Sequence, residues 1–163
     1  MKMAKKKEDK TNVMRILDQN GISYAAHAYP ADGPTDGVSV ANILGQDVEQ
    51  VFKTLVTKAA SGNYYVFDIP VAENLDLKKA AKSVGEKSIA MIPQKELLGL
   101  TGYIHGGCSP IGMKKQFPTV LHETAQLFDT ICVSAGKIGA QVELSPFDLQ
   151  KLLNAEFADV TAE

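Results

Sequence analysis

Little in these 163 residues points to thiol or metal chemistry. Two cysteines, Cys108 and Cys132, belong to no CxxC pair. The three histidines, His27, His105 and His122, stand at no metal-ligand spacing from one another or from a cysteine. The expectation is therefore free thiols, no metal and no cofactor. No apolar run approaches the roughly 20 residues that cross a bilayer, so no membrane association is expected. The lysine-rich start (Met1-Lys2-Met3-Ala4-Lys5-Lys6-Lys7) leads into no apolar segment, which reads against a secretory leader and for a cytoplasmic protein. A phosphate-binding GxxxxGK[ST] run is also missing. Gly136-Lys137-Ile138-Gly139 lacks that spacing and reads as a hairpin turn. Nor is positive charge in excess. Seventeen basic against 19 acidic residues leave a net charge of −2, too little for a tight unaided grip on nucleic-acid phosphates.

What is present is enough for one packed domain. With 45% apolar and 22% charged residues the composition is that of an ordinary globular chain, and no linker or repeat divides it. Residues 1–10 read as a flexible basic tail and residues 11–163 as a single domain. Val13, Ile16 and Leu17 recur at helical spacing up to Gly21, predicting a helix over 10–21. Strands are predicted over 22–29, 53–58, 64–70, 88–92, 119–122, 130–134 and 141–144. Short helices are predicted over 38–44, 75–84 and 93–100, and Ser145 caps a last one. Strands and helices alternate without a regular period, which gives an α+β fold with a mixed sheet.

Two features carry chemistry. The run Gly102-Tyr103-Ile104-His105-Gly106-Gly107-Cys108-Ser109-Pro110-Ile111-Gly112 concentrates four glycines and a proline in one loop. Such a loop can make a turn, or aim backbone N–H groups at a phosphate or an oxyanion. Lys53 lies within the apolar stretch Val51-Phe52-Lys53-Thr54-Leu55-Val56. It either snorkels along that surface or enters a site with a lowered pKa. Cys108 could act as a nucleophile with His105 as base, or simply line a pocket.

The order of four segments is specific: Val51-Phe52-Lys53-Thr54-Leu55-Val56, Leu75-Asp76-Leu77-Lys78-Lys79-Ala80-Ala81, the loop from Thr101 to Lys115, and Val133-Ser134-Ala135-Gly136-Lys137 through Val142-Glu143-Leu144. In that order they resemble the YbaK family of free-standing trans-editing proteins, relatives of the editing domain in bacterial prolyl-tRNA synthetases. The resemblance extends from about Thr11 to Asp159. It implies a barrel-like mixed sheet surrounded by helices, and deacylation of Cys-tRNA(Pro) in translation quality control. It implies catalytic roles for Lys53 and Gly106, with Pro110 completing a GxxxP loop. Tyr29, Thr54, Gly107, Cys108, Ser109 and Gln141 would contact the substrate. The implied partners are the aminoacylated 3′ end of tRNA and a prolyl-tRNA synthetase. The implied chemistry needs no protein nucleophile, because the substrate's own thiol attacks its ester.

Close relatives can carry an acid where Gln141 stands, so a preference for alanine, released by water, is the alternative within the same scaffold. A non-catalytic module that docks on tRNA or on a synthetase is the alternative of another class.

Overall fold

The computed structural model describes residues 10–162, so the expected basic tail lies, apart from Lys10, outside the described residues. Helix α1 (Asn12–Gln19) begins where the Thr11 side chain accepts from the Met14 N–H. This is the capping that Ser, Thr, Asp and Asn provide at helix starts. Its apolar stripe, Val13, Met14 and Leu17, is buried against a three-stranded antiparallel sheet ordered β1 (Tyr24–Ala28), β7 (Ala140–Leu144) and β6 (Ile131–Ser134). Alternation in these strands divides the sheet into two faces. Ile131, Val133, Val142 and Leu144 enter the core with α1 and with helix α5 (Pro146–Leu153). His27, Cys132, Gln141 and Glu143 stand on the opposite face, because the register pairs His27 with Gln141 and Cys132 with Glu143.

The second sheet has five strands in the order β4 (Ile89–Met91), β2 (Phe52–Ala59), β3 (Tyr64–Pro70), β5 (Thr119–His122) and β8 (Glu156–Ala158). Hairpin β2–β3 is antiparallel, whereas β5 joins β3 in parallel and β8 joins β5 in parallel. A parallel pair needs a long crossover. The segment from β3 to β5 supplies it and carries α3 (Leu77–Ser83), β4, α4 (Leu97–Thr101) and the glycine loop. Helix α2 (Gly37–Ile43), capped by Asp36 accepting from Ser39 N–H, packs Ala41 with Val51, Val71 and Cys132 between the sheets.

The α+β expectation and the mixed sheet are thus found, but the barrel-like closure is not: the strands form two sheets. These touch at one bridge, Val51 with Cys132, where the Cys132 N–H donates to the Gln50 carbonyl at 3.0 Å. The ladder stops there. The Val51 carbonyl already accepts from Val71 N–H, and from Phe52 onward β2 pairs with β3. The outer strands β4 and β8 are three residues each and pair on one side only, so the sheet stays open. Strand β8 and the 3-10 turn Glu123–Leu127 were not legible in the residue pattern.

Candidate functional site

Where the sheets part, at the start of β2, a cavity of about 300 Å³ opens. Four segments converge on it: Thr35 to Val38 and Val40 at the head of α2, Val51 and the first residues of β2 as far as Leu55, His105, Gly106 and Cys108 from the glycine loop, and Val133, Ser134 and Gln141 from the three-stranded sheet. Tyr29, at the end of β1, closes one side and is held by its N–H donating to the Gly139 carbonyl at 3.0 Å. Of the residues singled out in the sequence, Lys53, Thr54, Tyr29, Gly106, Cys108 and Gln141 therefore share one wall-to-wall site.

Gly107, Ser109 and Pro110 do not line it; all three are buried beneath the loop. The Ser109 hydroxyl accepts from the Ile111 N–H at 3.2 Å, making a local turn. Gly107 faces the β6–β7 hairpin turn so closely that a Cβ there would lie 3.1 Å from the backbone of Lys137 and Ile138. The hairpin role expected of residues 136–139 is what the structure shows, and the turn props the loop from behind. Gly106 has φ +89, a left-handed conformation that glycine alone adopts without strain. The Gly107 N–H donates to the Ile104 carbonyl at 3.0 Å and is spent inside the loop. Among the described residues, the N–H groups of Gly106 and Cys108 donate to no protein acceptor, and both residues border the cavity.

Lys53 is half-buried. Burial pulls its pKa down, and the nearby Glu73 carboxylate pulls it partway back. No carboxylate among the described residues lies within ion-pair distance of its ammonium, which leaves the charge for a ligand. Thr54, its neighbour, donates its hydroxyl to Asp68 Oδ1 at 2.5 Å. Burial pushes the Cys108 thiol up to about 12, the Asp68 carboxylate adding to the effect. A thiol so held is neutral at physiological pH, the opposite of an activated nucleophile.

Gln141 is buried, and its Oε1 accepts from Gln46 Nε2 at 2.8 Å. That bond uses one of the carbonyl's two lone pairs, and the amide N–H groups donate to no acceptor among the described residues. Gln46 had no signal in the sequence, and neither did the cavity-lining Thr35. Asp36 was recoverable only as an N-cap two residues ahead of an apolar run. Linear spacing also hid a cluster: ligand atoms of His27, Cys132 and Glu143 lie within 4.8 Å of one another. His27 Nε2 is 2.7 Å from Glu143 Oε1, and Thr130 donates to the other carboxylate oxygen. These bonds hold the Glu143 carboxyl below its ordinary range, while burial pushes the Cys132 thiol up to about 12. The cluster as arranged ties β1 to β6 and β7 beside the cavity.

The aminoacyl-tRNA editing domain model matches residues 35–152, a span that holds every cavity-lining residue except Tyr29. A curated protein of Enterococcus faecalis, provisionally named a Cys-tRNA(Pro)/Cys-tRNA(Cys) deacylase, EbsC, is 47% identical over 163 residues, 99% of each chain. A crystal structure described provisionally as a trans-editing enzyme for prolyl-tRNA synthetase superposes with TM-score 0.79 at 26% identity, covering 94% of this chain and 99% of the other. A hypothetical protein of known crystal structure shares the fold at TM-score 0.85 and 22% identity, over 93% of this chain and all of the other. With a family match over most of its length and a relative this similar end to end, the chain belongs to the aminoacyl-tRNA editing domain family.

Proposed function

We propose that this protein is a trans-editing deacylase that removes cysteine from mischarged Cys-tRNA(Pro). The observation that carries the reading is the convergence of Lys53 and the Gly106–Cys108 loop on one cavity, in a chain 47% identical to a protein named for that substrate. A cavity of about 300 Å³ is at the small end of ligand sites, the scale of an aminoacyl group on its terminal sugar.

In this reading the ammonium of Lys53 holds the phosphate or sugar edge of the tRNA end as a point charge. The ester carbonyl points at the N–H groups of Gly106 and Cys108, which stabilise its developing oxyanion. The substrate's thiol sulfur attacks its own carbonyl carbon, the bond to the ribose oxygen breaks, and the thiol proton goes to that oxygen. The products are a thiolactone and free tRNA. No side chain need act as nucleophile; the protein fixes a near-attack geometry. Tyr29, Thr54 and Gln141 border the aminoacyl group, while Gly107, Ser109 and Pro110 hold the loop's shape. A net charge of −2 suits weak tRNA binding of its own, with selectivity gained by joining a prolyl-tRNA synthetase in the cytoplasm.

Purified protein incubated with Cys-tRNA(Pro) is expected to release free tRNA, and Lys53→Ala to lower the rate by about 100-fold or more. Undiminished turnover in that variant would remove Lys53 from the mechanism. A second substrate is favoured by one observation: Gln141 brings no carboxylate to the substrate's ammonium, and one lone pair of its carbonyl is engaged by Gln46. An alanyl ester, lacking a thiol, would then be cleaved by water. Parallel assays of alanyl and cysteinyl esters of tRNA(Pro) decide between them, a faster alanyl reaction reversing the assignment. Binding of both without cleavage of either would leave a docking module.

A further inference from the structure

Asp68 is a polar group in the core that the proposed mechanism does not use. It is fully buried in β3, between the register partners Thr54 of β2 and Leu121 of β5. Val66, on the same face by strand alternation, packs with Val56, Met113 and Phe117, and Cys108 and Tyr103 flank that cluster from the glycine loop. Asp68 Oδ1 accepts from the Thr54 hydroxyl at 2.5 Å, whereas the buried Oδ2 has no partner among the described residues. A carboxyl in this setting with one oxygen unpaired and no neighbouring cation is costly unless it has a task. The groups that face it are few. Strand β2 offers Thr54, strand β5 offers Leu121, and the loop offers the neutral Cys108 thiol. Lys53 answers electrostatically to Glu73.

We propose that Asp68 is a positioning residue for the site: its protonation state turns the hydroxyl of Thr54, a residue of the cavity wall, from an acceptor into a donor. When the carboxyl is ionised, Thr54 must donate to Oδ1, and only its lone pairs are left for a ligand in the cavity that this residue borders. When the carboxyl is neutral, its proton is best placed on Oδ1, because Oδ2 has nothing to donate to. The proton then lies in the short contact and is given to Thr54 Oγ1, so the Thr54 hydrogen turns outward. The neutral state thus sets a second donor beside Lys53, suited to a carbonyl or sugar oxygen, and the ionised state removes it. Burial pushes this carboxyl up to about 7, with the Thr54 bond pulling the other way, so both states are populated near neutrality.

The inference rests on the deacylase reading for its consequence but not for its test. Asp68→Asn keeps an amide donor toward Thr54 and cannot ionise. Ester chemistry has its own pH dependence, which cancels in the ratio of variant to wild-type rate. That ratio is expected to rise about tenfold between about pH 5.5 and about pH 8.5, the worth of one hydrogen bond. In a Thr54→Val background the rise is expected to vanish. A ratio flat with pH, or one that rises equally without Thr54, overturns the proposal. Independently of activity, the Asp68 carboxyl followed by carbon-13 NMR is expected to titrate near 7 in the wild type and higher in Thr54→Val, where the bond favouring the ionised form is gone. Titration in the ordinary range near 4, or no response to Thr54→Val, also overturns it. Should the wild type cleave no aminoacyl ester at all, the deacylase reading falls and the NMR titration still decides the link between Asp68 and Thr54.

Discussion

Cys108 shows how a residue's meaning changes with its surroundings. In a glycine loop beside His105 it has the company of a nucleophile. In the folded chain it is half-buried on an apolar cluster, with its thiol pushed up to about 12 by burial and by Asp68. A thiol protonated to that extent offers almost no thiolate at neutral pH. In the proposed reaction its contribution is the backbone N–H and the volume behind it. Cys108→Ala keeps the N–H and is expected to change deacylation by less than about threefold, whereas loss of a true nucleophile costs several orders of magnitude. A collapse of activity in that variant with its fold intact, checked by circular dichroism, would return the thiol to the mechanism.

At the scale of elements, the site depends on the β6–β7 turn as a prop for the glycine loop. Gly107 lies so near the backbone of Lys137 and Ile138 that a methyl group at 3.1 Å forces one segment away. Gly107→Ala is expected to cost about 1–3 kcal/mol of stability through overpacking, read as a lowered urea midpoint. It is also expected to slow deacylation, because Gly106 moves with its neighbour. This support was invisible in the sequence, where the loop and the turn are separated by two strands' length of chain. Individual elements were legible because their signals are local: Thr11, Asp36 and Ser145 cap helices where the pattern predicts starts, and the β2–β3 hairpin turns at Ser61-Gly62-Asn63. Lys53 and Gly106 were legible through the family's order of motifs. Gln46, Asp68 and the His27–Cys132–Glu143 cluster were not. Their partners lie across strand registers and a crossover, and nothing in a single chain's spacing encodes those. The same limit explains the barrel: seven of the eight strands were readable, but closure depends on whether outer strands find each other.

For the whole molecule, two buried titratable groups make stability depend on pH with opposite signs. His122 on β5 accepts from the Val160 N–H through Nδ1 and meets Thr161 through Nε2, tying the C-terminal segment to the five-stranded sheet. Burial lowers its pKa from 6.5, opposed by nearby carboxylates of which Asp159 is the strongest, so the folded state binds this proton less readily than the unfolded. Its contribution is present above about pH 6.5 and is lost as pH falls. Asp68 runs the other way. Its folded value near 7 lies above the unfolded 3.8, so the folded state holds the proton more tightly. The stability it lends is complete below 3.8 and drains away as pH rises through about 7. Above that pH an ionised, half-satisfied carboxylate remains in the core at a cost on the order of 2 kcal/mol. Asp68→Asn is therefore expected to be more stable than the wild type at about pH 8 by that amount, and to lose most of the advantage by about pH 5. His122→Asn, which keeps an acceptor toward Val160 but cannot charge, is expected to gain relative to the wild type as the solution is acidified below 6.5. Urea unfolding of the three proteins across this range separates the two effects. A stability difference for Asp68→Asn that does not vary with pH would mean that the carboxyl keeps one protonation state throughout, and the coupling to Thr54 would lose its physical basis.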